Sequence, residues 1–138
     1  MDQSKKQYRP GTINETIREA LTPYIQKQKV TCANAHRVGS GLNVDPIEIG
    51  RQLDMLGCKI IECQLGLFGY GRDKKKLNPG ITVPDGLDRQ IDAVQDNGTL
   101  SCAQCWDMAK GLKIGRLDMG SVCEKKKVRI KPCQLGAF

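Results

Sequence analysis

Apolar residues in the first part of the chain recur at helical spacing. Ile17, Leu21 and Ile25 are four positions apart, which predicts a first helix over about 14–28. Pro23 lies inside this stretch, and we expect it to distort the helix or to start a new turn. The corresponding pattern in the second half of the chain predicts a helix over 85–96.

Start signals for two further helices follow. A second helix is predicted after Thr31 in the first half and after Ser101 in the second, because these residue types cap helix N-termini. Asp45, Pro46 and Glu48 have the spacing of an N-cap, a first helical residue and a capping-box partner, and they predict a third helix. An apolar run at 58–63, and again at 128–133, then predicts a strand.

The second half of the chain repeats the first at a shift of 70 positions, without a gap between 32 and 68. Identical residues fall on each other at Cys32 and Cys102, Gly41 and Gly111, Gly50 and Gly120, Ile60 and Ile130, Phe68 and Phe138, and in the tetrapeptide Cys-Gln-Leu-Gly at 63–66 and 133–136. We therefore predict one repeat over 12–68, a basic linker rich in Gly and Pro over 69–84, and a second repeat over 85–138.

The second and third predicted helices carry the pattern of a helix-turn-helix. This motif needs a small residue, a residue that tolerates a left-handed backbone four positions later, and two apolar anchors. These are Gly39, Asn43, Val44 and Ile49 in the first copy and Ala109, Lys113, Ile114 and Met119 in the second. Lys113 departs from the pattern, since lysine does not favour a left-handed backbone.

With a strand after the third helix, each copy resembles a winged helix, and the chain is loosely similar to small bacterial winged-helix regulators, including the molybdate-responsive type. The expected fold class is mainly α with short β, built from two tandem winged-helix-like repeats. Because one strand is predicted per copy, we expect the two strands to pair with each other across a pseudo-twofold axis, which would cover their edges.

The resemblance implies a small DNA-binding transcriptional regulator, and the formal net charge of +7 permits binding to duplex DNA. The residues predicted to contact nucleic acid are Arg51, Gln52, Lys74, Lys75, Lys76, Arg116, Ser121 and Lys125. Asp54 and Glu48 on the third helix oppose this interpretation. The alternative is a non-enzymatic adaptor on the same scaffold, which binds another protein or a metal.

Four of the seven cysteines recur between the copies, as Cys32 with Cys102 and Cys63 with Cys133. Their four thiolates would suit zinc or an iron–sulfur cluster, held across the pseudo-twofold axis, and metal or redox state would then control the regulator. The alternative is that cysteine serves as a small buried hydrophobic residue. Cys105 and Cys123 replace Ala35 and Leu53 of the first copy, so we assign these two to the core.

The tetrapeptide Cys-Gln-Leu-Gly has two interpretations. Its backbone amides could bind a ligand or an anion. Alternatively, it is a turn that needs glycine, with Leu65 and Leu135 packed inward.

The composition points away from several other classes. The sequence lacks a phosphate loop, a nucleophile with a matched histidine and a carboxylate cluster, so no enzyme is expected. Met1–Pro10 is polar and no stretch approaches about 20 apolar residues, so we expect a cytoplasmic protein without a membrane partner. A homodimer is compatible with these features.

Overall fold

The structure is a computed structural model, and it describes residues 12–138. The N-terminal segment Met1–Pro10, on which the expectation of a cytoplasmic protein partly depends, lies outside the described residues. The chain forms two compact units: residues through Cys63 with Leu135–Ala137, and Gln64–Gln134 with Phe138. The described residues are mainly helical with short parallel strand pairs, and this architecture is compatible with a helix-turn-helix type of fold.

Among residues 12–63, the first unit contains three helices and two strands. The elements are α1 (Glu15–Leu21), a 3₁₀ turn (Thr22–Tyr24), β1 (Lys29–Thr31), α2 (Cys32–Leu42), α3 (Pro46–Met55) and β2 (Lys59–Ile61). Asn14 caps α1 by accepting a hydrogen bond from the Ile17 amide at 3.0 Å. As expected, Pro23 interrupts the first helix: α1 ends at Leu21, and the proline lies at the start of the 3₁₀ turn.

The second unit repeats the order helix, strand, helix, helix, strand, but its 3₁₀ turn precedes the first of these helices. Its elements are a 3₁₀ turn (Gly71–Asp73), α4 (Asp85–Val94), β3 (Thr99–Leu100), α5 (Cys102–Leu112), α6 (Arg116–Lys125) and β4 (Arg129–Ile130). Ser101 forms a full capping box with Gln104 at the start of α5, and Thr31 caps α2 in the same place, as the sequence predicts. The sequence also gives the start of α3 correctly, at Pro46 after Asp45.

The turn between the second and third helices is the same in both units. Asn43 has φ 55° and Lys113 has φ 57°, both in the left-handed region. Lysine therefore adopts the turn conformation despite its poor preference for it. The structure also explains why the residue before the turn is small: a Cβ on Gly39 would lie only 3.1 Å from the Val44 carbonyl oxygen.

The strands differ from the expectation. Each unit has two short strands, which pair in parallel within the unit: Val30 with Ile60, and Leu100 with Ile130. The predicted pairing of one strand with the other across a pseudo-twofold axis is wrong, because the segment before each second helix supplies the missing partner strand. In residues 12–138, no antiparallel hairpin of the kind that forms a wing follows the third helix.

Each unit is completed by the segment that follows the last strand of the other repeat. Leu135 belongs to the first unit and is 2% exposed, whereas Leu65 belongs to the second and is fully buried. A Cβ on Gly50 of α3 would lie 1.6 Å from the Leu135 carbonyl oxygen, and a Cβ on Gly120 of α6 would lie 1.8 Å from that of Leu65. Only glycine permits this approach of the helix to a second backbone.

The cores are aliphatic with interspersed sulfur. Ile17, Leu21, Ile49 and Leu53 are almost completely buried in the first unit, and Leu87, Ile91 and Met119 take the corresponding places in the second. No helix among residues 12–138 has the length and apolar character needed to cross a bilayer.

Candidate functional site

The third helix of the first unit exposes a narrow stripe. Ile47, Arg51 and Asp54 are exposed on α3, and an apolar, a basic and an acidic side chain together make a poor match to base edges. Arg51 donates to Glu48 Oε1 at 2.6 Å, so part of its charge is already compensated. Of the predicted DNA contacts on this helix, only Arg51 is exposed.

The structure buries the side chain of Gln52, the other predicted contact on this helix, completely. Its amide accepts from the Asn14 backbone nitrogen at 2.8 Å and donates to the Thr12 carbonyl oxygen at 3.2 Å and to Glu48 Oε2 at 3.1 Å. Glu48 is itself 2% exposed. This polar pair therefore fastens the chain before α1 to α3, and it cannot reach a nucleic acid.

The third helix of the second unit is covered by the predicted linker. Ser121 of α6 is 3% exposed, because its Oγ accepts from the Asn78 amide at 2.8 Å and donates to the Leu117 carbonyl oxygen. Lys125 donates to the Ile81 carbonyl oxygen at 2.7 Å. Asn78 and Ile81, which lie within the predicted linker, therefore contact α6, and the structure places them in the second unit.

Arg116 is held in place at the start of α6. Its guanidinium lies over the ring of Trp106, 3.6 Å from the centroid, and it donates to Gln64 Oε1 at 2.5 Å. The residue remains exposed. It can contact an anion, although the stacked position limits its reach.

The exposed cations are concentrated in the second unit. Residues 64–138 contain 13 basic and 8 acidic residues, whereas residues 12–63 contain six of each. Exposed basic residues of this unit include Lys74, Lys75 and Lys76 in the predicted linker and Lys127, Arg129 and Lys131 around β4. Lys76 lies over the Tyr70 ring, and Lys75 lies 3.5 Å from Glu124. An excess of exposed cations on one unit is the electrostatic pattern that attracts phosphates.

The cysteines occupy core positions. Cys32 and Cys63 are buried in the first unit, and Cys102 and Cys133 are buried in the second. Among the described residues, no group of three or more His, Cys, Asp or Glu side chains is arranged to hold a metal ion. The geometry thus gives no support to a zinc or iron–sulfur site on these four thiols, and it fits their alternative role as small buried residues.

The structure confirms that two further cysteines belong to the core. Cys105 and Cys123 are fully buried, with their sulfur atoms 4.0 Å apart. The hydrogen bond with Cys123, together with burial, raises the pKa of the Cys105 thiol. A thiol in this environment is a poor nucleophile.

The tetrapeptide Cys-Gln-Leu-Gly is a turn with an inward leucine, as one of its two interpretations holds. Gly66 and Gly136 both have φ +80°, and Leu65 and Leu135 are buried. Gln134 donates to the Cys102 sulfur at 3.4 Å and so links this turn to the start of α5.

Two features of the third helices escaped sequence reasoning. One is Gly50 and Gly120, which receive the leucine segments; their recurrence at the same helical position was the available signal. The other is Lys126, half-buried between Asp88 and Asp92 of α4, for which a single lysine in a basic run gives no signal.

No protein-family model, curated protein or solved structure matches this chain. Its function is therefore inferred from its own residues.

Proposed function

We propose that the protein is a non-enzymatic DNA-binding regulator that contacts the phosphate backbone of duplex DNA through the second unit. The observation that carries this proposal is the distribution of charge: the basic excess of the described residues lies in 64–138, and residues 12–63 are balanced. Lys74, Lys75 and Lys76 provide three consecutive exposed cations on this unit. Contacts to phosphates supply most of the sequence-independent affinity of DNA-binding proteins.

Two observations indicate how the protein would contact DNA. The turn between the second and third helices has the same left-handed residue in both units, Asn43 and Lys113, which is compatible with a helix-turn-helix. However, Gln52 and Ser121 are buried, and Arg51 is paired with Glu48, so the third helices offer few groups to base edges. We therefore expect weak sequence preference and a steep dependence on salt.

The test is fluorescence anisotropy of a short labelled duplex between about 50 and 200 mM salt. A variant with Lys74, Lys75 and Lys76 changed to Gln should lose roughly tenfold in affinity at low salt and bind with a shallower salt dependence, because fewer counterions are released. The matched control changes Lys27, Lys29 and Lys59, three exposed cations of the first unit, to Gln. It removes the same charge and should retain most of the affinity.

Either of two results would exclude the proposal. One is the absence of binding even at low salt. The other is an equal loss in the two triple variants, which would show that only net charge matters and that the second unit has no special role.

A second candidate function, a protein-binding adaptor, is favoured by the way both units hold peptide segments. The third helix of the first unit receives the backbone of Leu135 at Gly50, and that of the second unit receives Leu65 at Gly120. A surface that binds one chain segment against a helix can bind another of similar sequence.

This candidate is tested by emptying the first unit's site. A Leu135→Asp chain should dock its own segment poorly, and a labelled peptide with the sequence of residues 131–138 should then bind to it in trans. The wild-type chain, whose site is occupied, and a peptide carrying Asp in place of the leucine are the controls. If the wild-type peptide fails to bind a Leu135→Asp chain that circular dichroism shows to be folded, the adaptor function loses its basis.

A further inference from the structure

A groove in the second unit combines an apolar wall with cations. It has a volume of about 510 Å³ and lies beside α6 and β4, where residues of both elements and of the segments around Phe68 and Phe138 line it. This volume falls within the range of small-molecule sites. All of its lining residues belong to the second unit.

The wall of the groove is aromatic and aliphatic. Phe68 and Phe138 meet edge to face, with ring centroids 5.8 Å apart, and Phe138 is 44% exposed. Val128 and Ile130 complete the wall and are each only half-buried. Apolar surface left open to water in a concave site favours a ligand that covers it.

Cations surround this apolar surface. Lys127 and Arg129 line the groove together with Val128 and Ile130, and both cations are exposed. Lys75 also lines the groove, and it lies 3.5 Å from Glu124, the single acidic side chain among the described lining residues. The lining therefore contains three basic side chains and one acidic side chain, a net positive charge.

We propose that this groove binds a small organic anion that has one acidic head group on an apolar body, such as a medium-chain or aromatic carboxylate. The apolar wall would cover the body, while Arg129 and Lys127 would pair with the head group. A bare inorganic anion would leave the wall exposed, and an uncharged apolar molecule would make no use of the cations. This inference does not depend on DNA binding.

Calorimetric titration of the full chain with decanoate, below its micelle concentration, tests the proposal. Decanoate should bind saturably at one site per chain, whereas decanol and acetate, which each lack one half of the required chemistry, should bind much more weakly. Changing Lys127 and Arg129 to Gln should weaken decanoate binding by roughly tenfold or more, since charge-assisted hydrogen bonds are lost.

The matched control changes Arg89 and Lys110, two exposed cations of the same unit that do not line the groove, to Gln. It should bind decanoate like the wild type. A second measurement avoids any folding defect of a variant: on the wild-type chain, decanoate should shift the methyl resonances of Val128 and Ile130 and leave those of Ile17 and Ile49 in place.

Three results would overturn the proposal. Decanol could bind as tightly as decanoate, the two double variants could bind alike, or the methyl shifts could fall outside the groove. The decanoate titration contains no DNA. Its interpretation therefore stays the same even if the separate anisotropy experiment shows that the protein does not bind DNA.

Discussion

Gly50 of α3 lies directly against the carbonyl group of Leu135, so close that a Cβ on the glycine would be 1.6 Å from the oxygen. Gly120 of α6 has the same relationship with Leu65, at 1.8 Å. Each third helix therefore receives the leucine of the Cys-Gln-Leu-Gly turn of the other repeat. The glycine of the third helix and the leucine of the turn both recur at a shift of 70 positions because each repeat makes the same kind of contact.

The first prediction concerns these glycines. Changing Gly50 or Gly120 to Ala should lower the free energy of unfolding by about 1–3 kcal/mol, because the methyl group collides with backbone that cannot rotate away. Urea denaturation followed by circular dichroism measures the change. Leu135 or Leu65 should become accessible to a protease at the same time, since the segment is displaced.

Two other helical glycines serve as controls. Gly41 and Gly111 lie in α2 and α5, and apart from their chain neighbours and their own helix backbone, no atom of the described residues is within 4 Å of the place that an alanine methyl group would occupy there. Alanine at these positions should stabilise by roughly 0.5–1 kcal/mol, through the lower flexibility of the unfolded chain. If Gly50→Ala behaved like Gly41→Ala, the close docking of Leu135 would be incorrect.

Local signals in the sequence predicted the helices well. The caps Thr31 and Ser101, the break at Pro23 and the left-handed Asn43 depend on residues a few positions apart, and the structure confirms them. Lys113 shows that a poor local preference of one residue is overridden when the helices on both sides are fixed by packing.

Longer-range features were not predictable in the same way. Helical periodicity placed Gln52 and Ser121 on the outer face of the third helices, yet chain segments from Thr12 to Asn14 and around Asn78 cover them. The prediction of strand pairing was wrong for a related reason. β1 and β3 contain only three and two residues, which is too few for an alternating pattern to be visible in the sequence. Which segment covers a helix face is decided by tertiary packing, and a single sequence carries little information about it.

The buried amide of Gln52 provides the second prediction. A Gln52→Leu variant keeps the volume but leaves Glu48 Oε2 and the Asn14 amide without this partner, and it should destabilise the chain by about 1–3 kcal/mol. DNA affinity at temperatures where the variant is folded should be unchanged, because the side chain does not reach solvent. A selective loss of DNA binding with unchanged stability would instead restore Gln52 as a contact residue.

The third prediction uses Lys126, which joins α6 to α4. Hydrogen bonds to Asp88 and then Asp92 raise the pKa of Lys126 in the folded state. A raised folded pKa means that this stabilisation is complete below the unfolded value of about 10.4 and disappears as pH rises through the folded pKa. The stability difference between wild type and Lys126→Met should therefore be constant near neutral pH and shrink in alkaline solution. A difference that did not change with pH would mean that the lysine acts through packing of its alkyl chain alone.

The fourth prediction concerns the thiols. Cys58 is half-buried, whereas the other six cysteines are buried, so a brief exposure of the folded chain to iodoacetamide should give a single adduct, at Cys58. Burial raises the pKa of the Cys58 thiol, so the labelling rate should keep rising as the pH passes the ordinary thiol pKa of about 8.5.

Mass spectrometry of digested protein locates the adduct. A Cys58→Ser chain should remain unlabelled until urea exposes the core, when the other six cysteines react together. If metal bound by Cys32, Cys63, Cys102 and Cys133 protected them instead of burial, a chelator would make those four reactive without unfolding the chain, whereas protection by the core predicts no effect of the chelator.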